Sequence, residues 1–281
     1  MPRCRLGPKP SFTIRVRRRD MSFPEHIRGI LFDLDGVLYV DTRPIPGAAQ
    51  AVRRVKNAGW PCRFVTNTST LSLEALYRKL VALDLPIARA EIISAPRAAL
   101  RHLRTIGASA CCLLMAEDVL RDFAEFRHTE VEQADVIVLG DIGDRLDYSL
   151  LNRIFNRMMQ GAGLVAIHRN RFWQTEHGLR MDIGGFIAAL EYCTGHPAVV
   201  MGKPSPDFFG VALRDMDLNA DQAALIGDDL ESDIGGAQAS GMRGILVRTG
   251  KFRQAVLDAS TVAPDAVIDS VAALPDLLGI P

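Results

Sequence analysis

The chain has 281 residues, enough for two domains and a sizeable buried core. A hydrophobic share of 48% against a charged share of 23% excludes a low-complexity or fibrous chain, and no apolar run approaches the ~18 residues of a membrane span. The formal net charge is zero but uneven: residues 1 to 20 hold seven basic side chains (Arg3, Arg5, Lys9, Arg15, Arg17, Arg18, Arg19) against Asp20, which makes the tail +6 and the remainder −6.

Such a tail suits a nucleic-acid arm or a targeting peptide, yet it shows no clear apolar face, one Ser and no apolar h-region, and Met21 stands just before the first strand. We expect residues 1–21 to be a disordered basic extension, or a translation start placed too early. The five cysteines, Cys4, Cys62, Cys111, Cys112 and Cys193, form no Cys-x-x-Cys, so neither a disulfide framework nor a zinc site is expected, and a reducing cytoplasm fits.

Gly29-Ile30-Leu31-Phe32 reads as a buried strand that runs into Asp33-Leu34-Asp35-Gly36. If the strand persists, its period of two puts Asp33 and Asp35 on one side, and Gly36 permits an abrupt turn. Two carboxylates so close repel unless a cation compensates them; Mg²⁺ is the simplest such cation, and an Asx-type turn is the plain alternative. Ala51, Val52 and Val55 then mark a helix opening at Pro46-Gly47-Ala48. Arg63-Phe64-Val65 is a strand ending in Thr66-Asn67-Thr68-Ser69, and Leu73 to Leu83 is the next helix. Alternating strands and helices predict a parallel sheet whose ligands sit at the carboxyl ends of the strands. Thr66 and Asn67 are therefore expected beside Asp33 and Asp35, where their donors suit an anion; Thr-Asn is also the composition of a helix cap.

From about Ser94 the alternation starts afresh: helix 95–106, strand 110–114, helix-like 117–124, strand 135–139, helix 148–159 and strand 164–167. A separate lobe over 94–183, bracketed by Gly184-Gly185, is expected, because the 136 residues between Thr66 and Lys203 are too many for one or two strand–helix steps. Phe186 to Cys193 reads as the returning helix and Ala198-Val199-Val200-Met201 as a strand. The next loop, Gly202-Lys203-Pro204-Ser205-Pro206, is stiff enough to present Lys203 at a defined place. Ala223 to Ile226 is another buried strand, ending in Gly227-Asp228-Asp229-Leu230-Glu231-Ser232-Asp233. Four acids within six residues suit a cation site, with Asp228 as the candidate ligand and Asp233 placed to orient Lys203. Strands at 244–247 and 266–268 complete the set. Gly244 to Lys251 lacks the spacing of a phosphate loop.

Asp33-Leu34-Asp35-Gly36-Val37-Leu38, Val65-Thr66-Asn67-Thr68, Gly202-Lys203-Pro204 and Gly227-Asp228-Asp229, in that order, resemble the haloacid dehalogenase superfamily of phosphohydrolases. Within it they are similar to subclass IIA, which carries a C2-type cap. The resemblance covers Met21 to Pro281. It implies an α/β fold, a Rossmann-like parallel-sheet core (22–93 and 184–281) with a smaller inserted α/β cap (94–183). It also implies a Mg²⁺-dependent phosphatase acting on a small phosphorylated compound, whether ester, pyrophosphate or phosphoamidate. Asp33 would be the nucleophile and a metal ligand, and Asp35 the general acid/base with its backbone carbonyl on the metal. Thr66, Asn67, Thr68 and Lys203 would hold the phosphoryl oxygens, and Asp228 would complete the metal's protein ligands, with Asp229 and Asp233 behind them. Arg169 and Arg171, after the last cap strand, are candidates to meet a second anionic group, or else a solvated basic loop; His168 and His177 show no metal-ligand spacing. No nucleic-acid or membrane partner is expected; the resemblance allows a homodimer through the cap, and the sequence leaves the oligomeric state open. The competing class is a binding or regulatory protein that keeps the fold without turnover, against which stands the retention of both Asp33 and Asp35.

Overall fold

The computed structural model describes residues 26–175 and 178–281. The basic extension and His177 lie outside the described residues. Six parallel strands form the first sheet, in spatial order Ala266–Ile268, Arg243–Val247, Ala223–Gly227, Gly29–Asp33, Cys62–Thr66, Ile92–Ser94. The chain enters at Gly29–Asp33, moves outward on one side and later returns to the other, so the strand order reverses at Asp33. Ligands of open parallel sheets bind in the crevice at such a reversal.

Both faces of this sheet are covered, which is why its strands read as apolar runs. Ile30 and Phe32 pack on one face with Phe64, Val52 and Leu76; Leu31 packs on the other with Val65 and Leu225. Phe32 and Phe64 stand opposite each other in register and stack, with ring centroids 5.3 Å apart.

The strand stops at Asp33, short of Asp35. Leu38 N–H donates to the Leu34 carbonyl, and Gly36, at φ 84°, turns the chain so that its N–H reaches the Tyr39 carbonyl at 2.7 Å. Asp35 thus comes to the site from a turn and not through strand alternation. A Cβ on Gly36 would lie 1.9 Å from Asp228 Oδ2, so positive φ and close approach both require glycine there.

A second sheet of five parallel strands has the order Val199–Val200, Gly163–Ala166, Val136–Leu139, Ala110–Leu114, Arg127–His128. The helices Ala95–Thr105 and Pro206–Met216 join the two sheets. Ala98, Leu103, Phe208 and Ala212 belong to one buried cluster that reaches from Leu31 and Val65 to Cys111, Val138 and Val165. Cys62, Cys111 and Cys112 are buried and unpaired; burial pushes the Cys62 thiol up to about 12 and Cys112 to about 11, as expected of inert core residues. Among the described residues no helix is long and apolar enough to cross a membrane.

Two sequence expectations shift. The strand Val199–Val200 pairs with Gly163–Ala166 at the edge of the second sheet, so Lys203 does not follow a strand of the first. The helix Ile183–Thr194 buries Ile187 and Leu190 with Ile154, Leu164 and Ala166 of the second sheet's layer. We therefore propose that the insertion runs from 94 to about 200 instead of ending at 183. Gly184 is a point of close approach: its Cβ would lie 2.3 Å from the Asn170 carbonyl oxygen.

Candidate active site

The carboxyl ends of Gly29–Asp33, Cys62–Thr66 and Ala223–Gly227 converge on a cavity of about 390 Å³. At its floor Lys203 Nζ lies 2.5 Å from Asp33 Oδ1 and 2.6 Å from Asp233 Oδ1, with all three side chains buried. Asp33, Asp228 and Asp233 each offer an oxygen within 4.8 Å of the others.

Lys203 pairs with two of the three buried acids, Asp33 and Asp233, while Asp228 meets Lys251 instead, and their ionisation reflects it. Burial pushes Asp33 up to about 7 against the pull of Lys203; burial, then repulsion from Asp33 and Asp233, pushes Asp228 up to about 8. Burial also opposes the charge on Lys203, but Asp233 and Asp33 outweigh it and hold the ammonium well above its usual range. A compact set of carboxylate oxygens with negative charge in excess is the donor set of a hard divalent cation. Asp228 is further cradled for such a role. Its Oδ2 accepts from Lys251 N–H at 2.7 Å, and a Cβ on Gly250 would come within 2.0 Å of the same oxygen.

Asp233 Oδ2 accepts the N–H groups of Asp228 and Asp229, each at 3.2 Å, so this side chain ties the acidic loop to Lys203. Asp229 turns away: its Oδ1 caps the turn Leu230–Gly235 through Glu231 and Ser232 N–H, and its Oδ2 lies 3.2 Å from Lys251 Nζ. Asp35 lines the cavity. Burial raises its pKa, against the pull of Lys79 and Lys251.

Thr66 and Thr68 line the cavity with their hydroxyls 2.9 Å apart, and Thr66 Oγ1 accepts the Thr68 N–H at 3.1 Å. Asn67 departs from its expected role, because its carboxamide is spent elsewhere. Oδ1 accepts Lys203 N–H at 2.7 Å, and Nδ2 donates to the Lys203 carbonyl at 3.0 Å and to Asn170 Oδ1 at 3.4 Å. The side chain braces the lysine loop.

The cap arginines depart further. Arg169 pairs with Glu191 at 2.5 Å and Arg171 with Glu231 at 3.3 Å; neither lines the cavity. The cap instead presents Asp141, His168, Asn170 and Asp182. Reading the sequence missed Asp141, Asp182, Lys79 and Lys251. Asp141 was findable, since Val136–Leu139 ends in Gly140-Asp141 as the first strand ends in its acids. Lys251 lies in the stretch that lacks the spacing of a phosphate loop; its N–H meets Asp228 and its ammonium meets Asp229.

Comparison with known proteins agrees with this geometry. A family model described as haloacid dehalogenase-like hydrolase matches residues 30–130, and a HAD-hydrolase-like model matches 200–274. The bovine haloacid dehalogenase-like hydrolase domain-containing protein 2 is 36% identical over 244 residues, 87% of this chain and 93% of its own. The rat phospholysine phosphohistidine inorganic pyrophosphate phosphatase is 36% identical over 258 residues, 90% of this chain and 94% of its own. Among solved structures, the p-nitrophenyl phosphatase from Archaeoglobus fulgidus superposes with a TM-score of 0.82 at 27% identity, covering 89% of this chain and 98% of that one. Relatives at this identity, matched over nearly their whole length and sharing the fold, show that the chain belongs to the haloacid dehalogenase-like hydrolases, as a phosphohydrolase of subclass IIA.

Proposed function

We propose that the protein is a Mg²⁺-dependent phosphatase that hydrolyses a small phosphorylated compound through an aspartyl phosphate on Asp33. The observation that carries this reading is the pairing of Asp33 with Lys203 at 2.5 Å, within a buried three-carboxylate cluster at the floor of a cavity that Asp35 also lines.

Lys203 and the Thr66 and Thr68 hydroxyls are placed to bind phosphoryl oxygens, donors whose strength increases in a buried site. An Asp33 oxygen attacks phosphorus, the bond from phosphorus to the leaving atom breaks, and the Asp35 carboxyl gives that atom its proton. Asp35 then takes a proton from water as the water attacks the same phosphorus, releasing phosphate and restoring Asp33. Burial of Asp35 favours the protonated form that the first step uses. A divalent ion held by Asp33, Asp228 and the Asp35 backbone carbonyl would neutralise phosphate charge. Asp233 and Asn67 position Lys203 from either side, by its ammonium and by its backbone.

The substrate range follows the family: an ester, pyrophosphate or a P–N bond. The regulatory alternative would need the nucleophile or the acid to be dispensable, and this chain keeps both. A dimer through the cap rests on the family resemblance and is tested by light scattering.

The test is phosphate release from a panel of phosphate esters, pyrophosphate and phosphoamidates, with and without Mg²⁺, beside Asp33→Asn. Turnover that needs metal and falls by ~10⁴-fold or more in Asp33→Asn is expected. Full activity in Asp33→Asn would overturn the reading.

A further inference from the structure

Above the phosphoryl site the cavity has two walls of opposite charge. Lys79 and Lys251 stand on the core side, near enough to Asp35 to pull its pKa down. Asp141 and Asp182 stand on the cap side. Any leaving group attached to a phosphoryl held at Asp33 must occupy the space between these walls.

The two acids lack counter-charge. Among the described residues no Lys or Arg pairs with either. Beside Asp182 stands His168, with Nε2 4.0 Å from Asp182 Oδ1 and 3.2 Å from Ser69 Oγ. Burial holds the His168 pKa below its ordinary value despite Asp182 and Asp141, so at neutral pH the imidazole is uncharged and does not neutralise them. Asp182 is only 7% exposed, a position where a carboxylate without a cation is costly.

Each acid has one oxygen committed locally: Asp141 Oδ1 accepts Gly143 N–H at 2.8 Å, and Asp182 Oδ1 accepts Ile183 N–H at 2.7 Å. Those bonds need an acceptor, which asparagine would supply equally; they do not need the charge. A second cavity of about 210 Å³ shares Asp141 and Asp182 with the first and continues into the cap. Its walls include Leu146, Ile183 and Phe186, and Arg180, whose guanidinium is taken up by Asp144 at 2.6 Å. The acids therefore form a throat between the phosphoryl site and a partly apolar annex.

We propose that this throat selects substrates whose leaving group carries a cationic nitrogen, with its carbon body reaching toward the annex. The inference rests on the phosphatase reading of the same cavity and reverses the expectation, drawn from Arg169 and Arg171, of a second anionic group. An ammonium between Asp141 and Asp182 makes the charge-assisted hydrogen bonds that the cap itself leaves unmade.

The test compares binding of aminopropylphosphonate, propylphosphonate and carboxyethylphosphonate to the Mg²⁺-loaded full chain by calorimetry, and hydrolysis of the matching phosphate esters. The amine should bind about tenfold or more tighter than the neutral chain, as expected of a charge-assisted pair, and the carboxylate weakest. In Asp141→Asn/Asp182→Asn the ratio of amine to neutral should collapse to about two- to threefold, with the local acceptor bonds kept. Equal binding of all three, binding of none, or a ratio that persists in the double variant would overturn the proposal. Ester hydrolysis without charge preference would sink the throat and leave the phosphatase standing; charge-selective phosphonate binding without hydrolysis would do the reverse.

Discussion

The core and the inserted lobe of this protein both bring carboxylates to one cavity, and the two sets differ in what surrounds them. At the end of the first sheet Asp33 and Asp233 are buried against Lys203, with Asp228 beside them. At the end of a strand of the second, Asp141 faces the cavity, joined by Asp182 at the start of the helix Ile183–Thr194, with no Lys or Arg partner among the described residues. Strand geometry explains why acids arrive at both rims; local counter-charge decides what each set can do. In the function proposed above, the paired set would hold a metal and a phosphoryl group, and the unpaired set would take a cation from the ligand.

The sharpest way to break this contrast is to remove the counter-charge from the first set. Lys203→Met should destabilise the fold by about 3–5 kcal/mol in denaturant titrations, because Asp33 and Asp233 are left buried and unpaired. It should also slow turnover by about 10²–10³-fold. An unchanged unfolding midpoint would mean the lysine is not the group that pays for burying these acids. Gly250→Ala acts on the same set through shape: its new methyl would sit 2.0 Å from Asp228 Oδ2 at a backbone φ of 61°. A loss of about 10–100-fold in Mg²⁺ affinity by calorimetry is expected, the range for disturbing the support of a ligand. Asn67→Ala leaves every charge in place and removes the brace on Lys203; it should cost about 1–3 kcal/mol and lower kcat more than it raises KM.

The pH response distinguishes the sets without mutation. Asp33 and Asp228 are raised in the folded protein, to about 7 and about 8 from 3.8, so the native state holds protons that the unfolded chain has released. Their contribution is therefore fully present below about pH 4 and is lost as pH rises through 7 to 8. His168, lowered by burial, works the other way near its ordinary pKa, but it is one proton against two. Metal-free protein should melt at a lower temperature at pH 8 than at pH 5, and added Mg²⁺ should raise the melting temperature more at pH 8, since protons compete for its ligands. A metal-free protein that gains stability over this interval would contradict the assignment. The smallest effect belongs to Arg171→Ala, whose exposed partner Glu231 predicts a change within about 0.5 kcal/mol and activity within about twofold.

The floor of the candidate site was legible because it is written locally. Apolar strands that run into Asp33-x-Asp35 and Gly227-Asp228 carry both their secondary structure and their chemistry in a few consecutive residues. Burial on both faces leaves a continuous apolar signal, and the carboxyl end of a parallel strand has a defined use. Lys203 was found by its stiff flanking sequence, although the strand before it proved to belong to the other sheet.

What the sequence determined alone was therefore the fold class, the order of strand-end groups and the identity of the floor of the site. The tertiary structure decided the rest. Asn67 faces Lys203 across 136 positions, Arg169 and Arg171 turn to Glu191 and Glu231, and Asp141 and Asp182 turn inward. The pairing of a side chain depends on which distant group packing brings within a few ångströms, and charge attraction has no period along the chain. Periodicity reports which face a residue occupies; only the folded contacts report what it meets there.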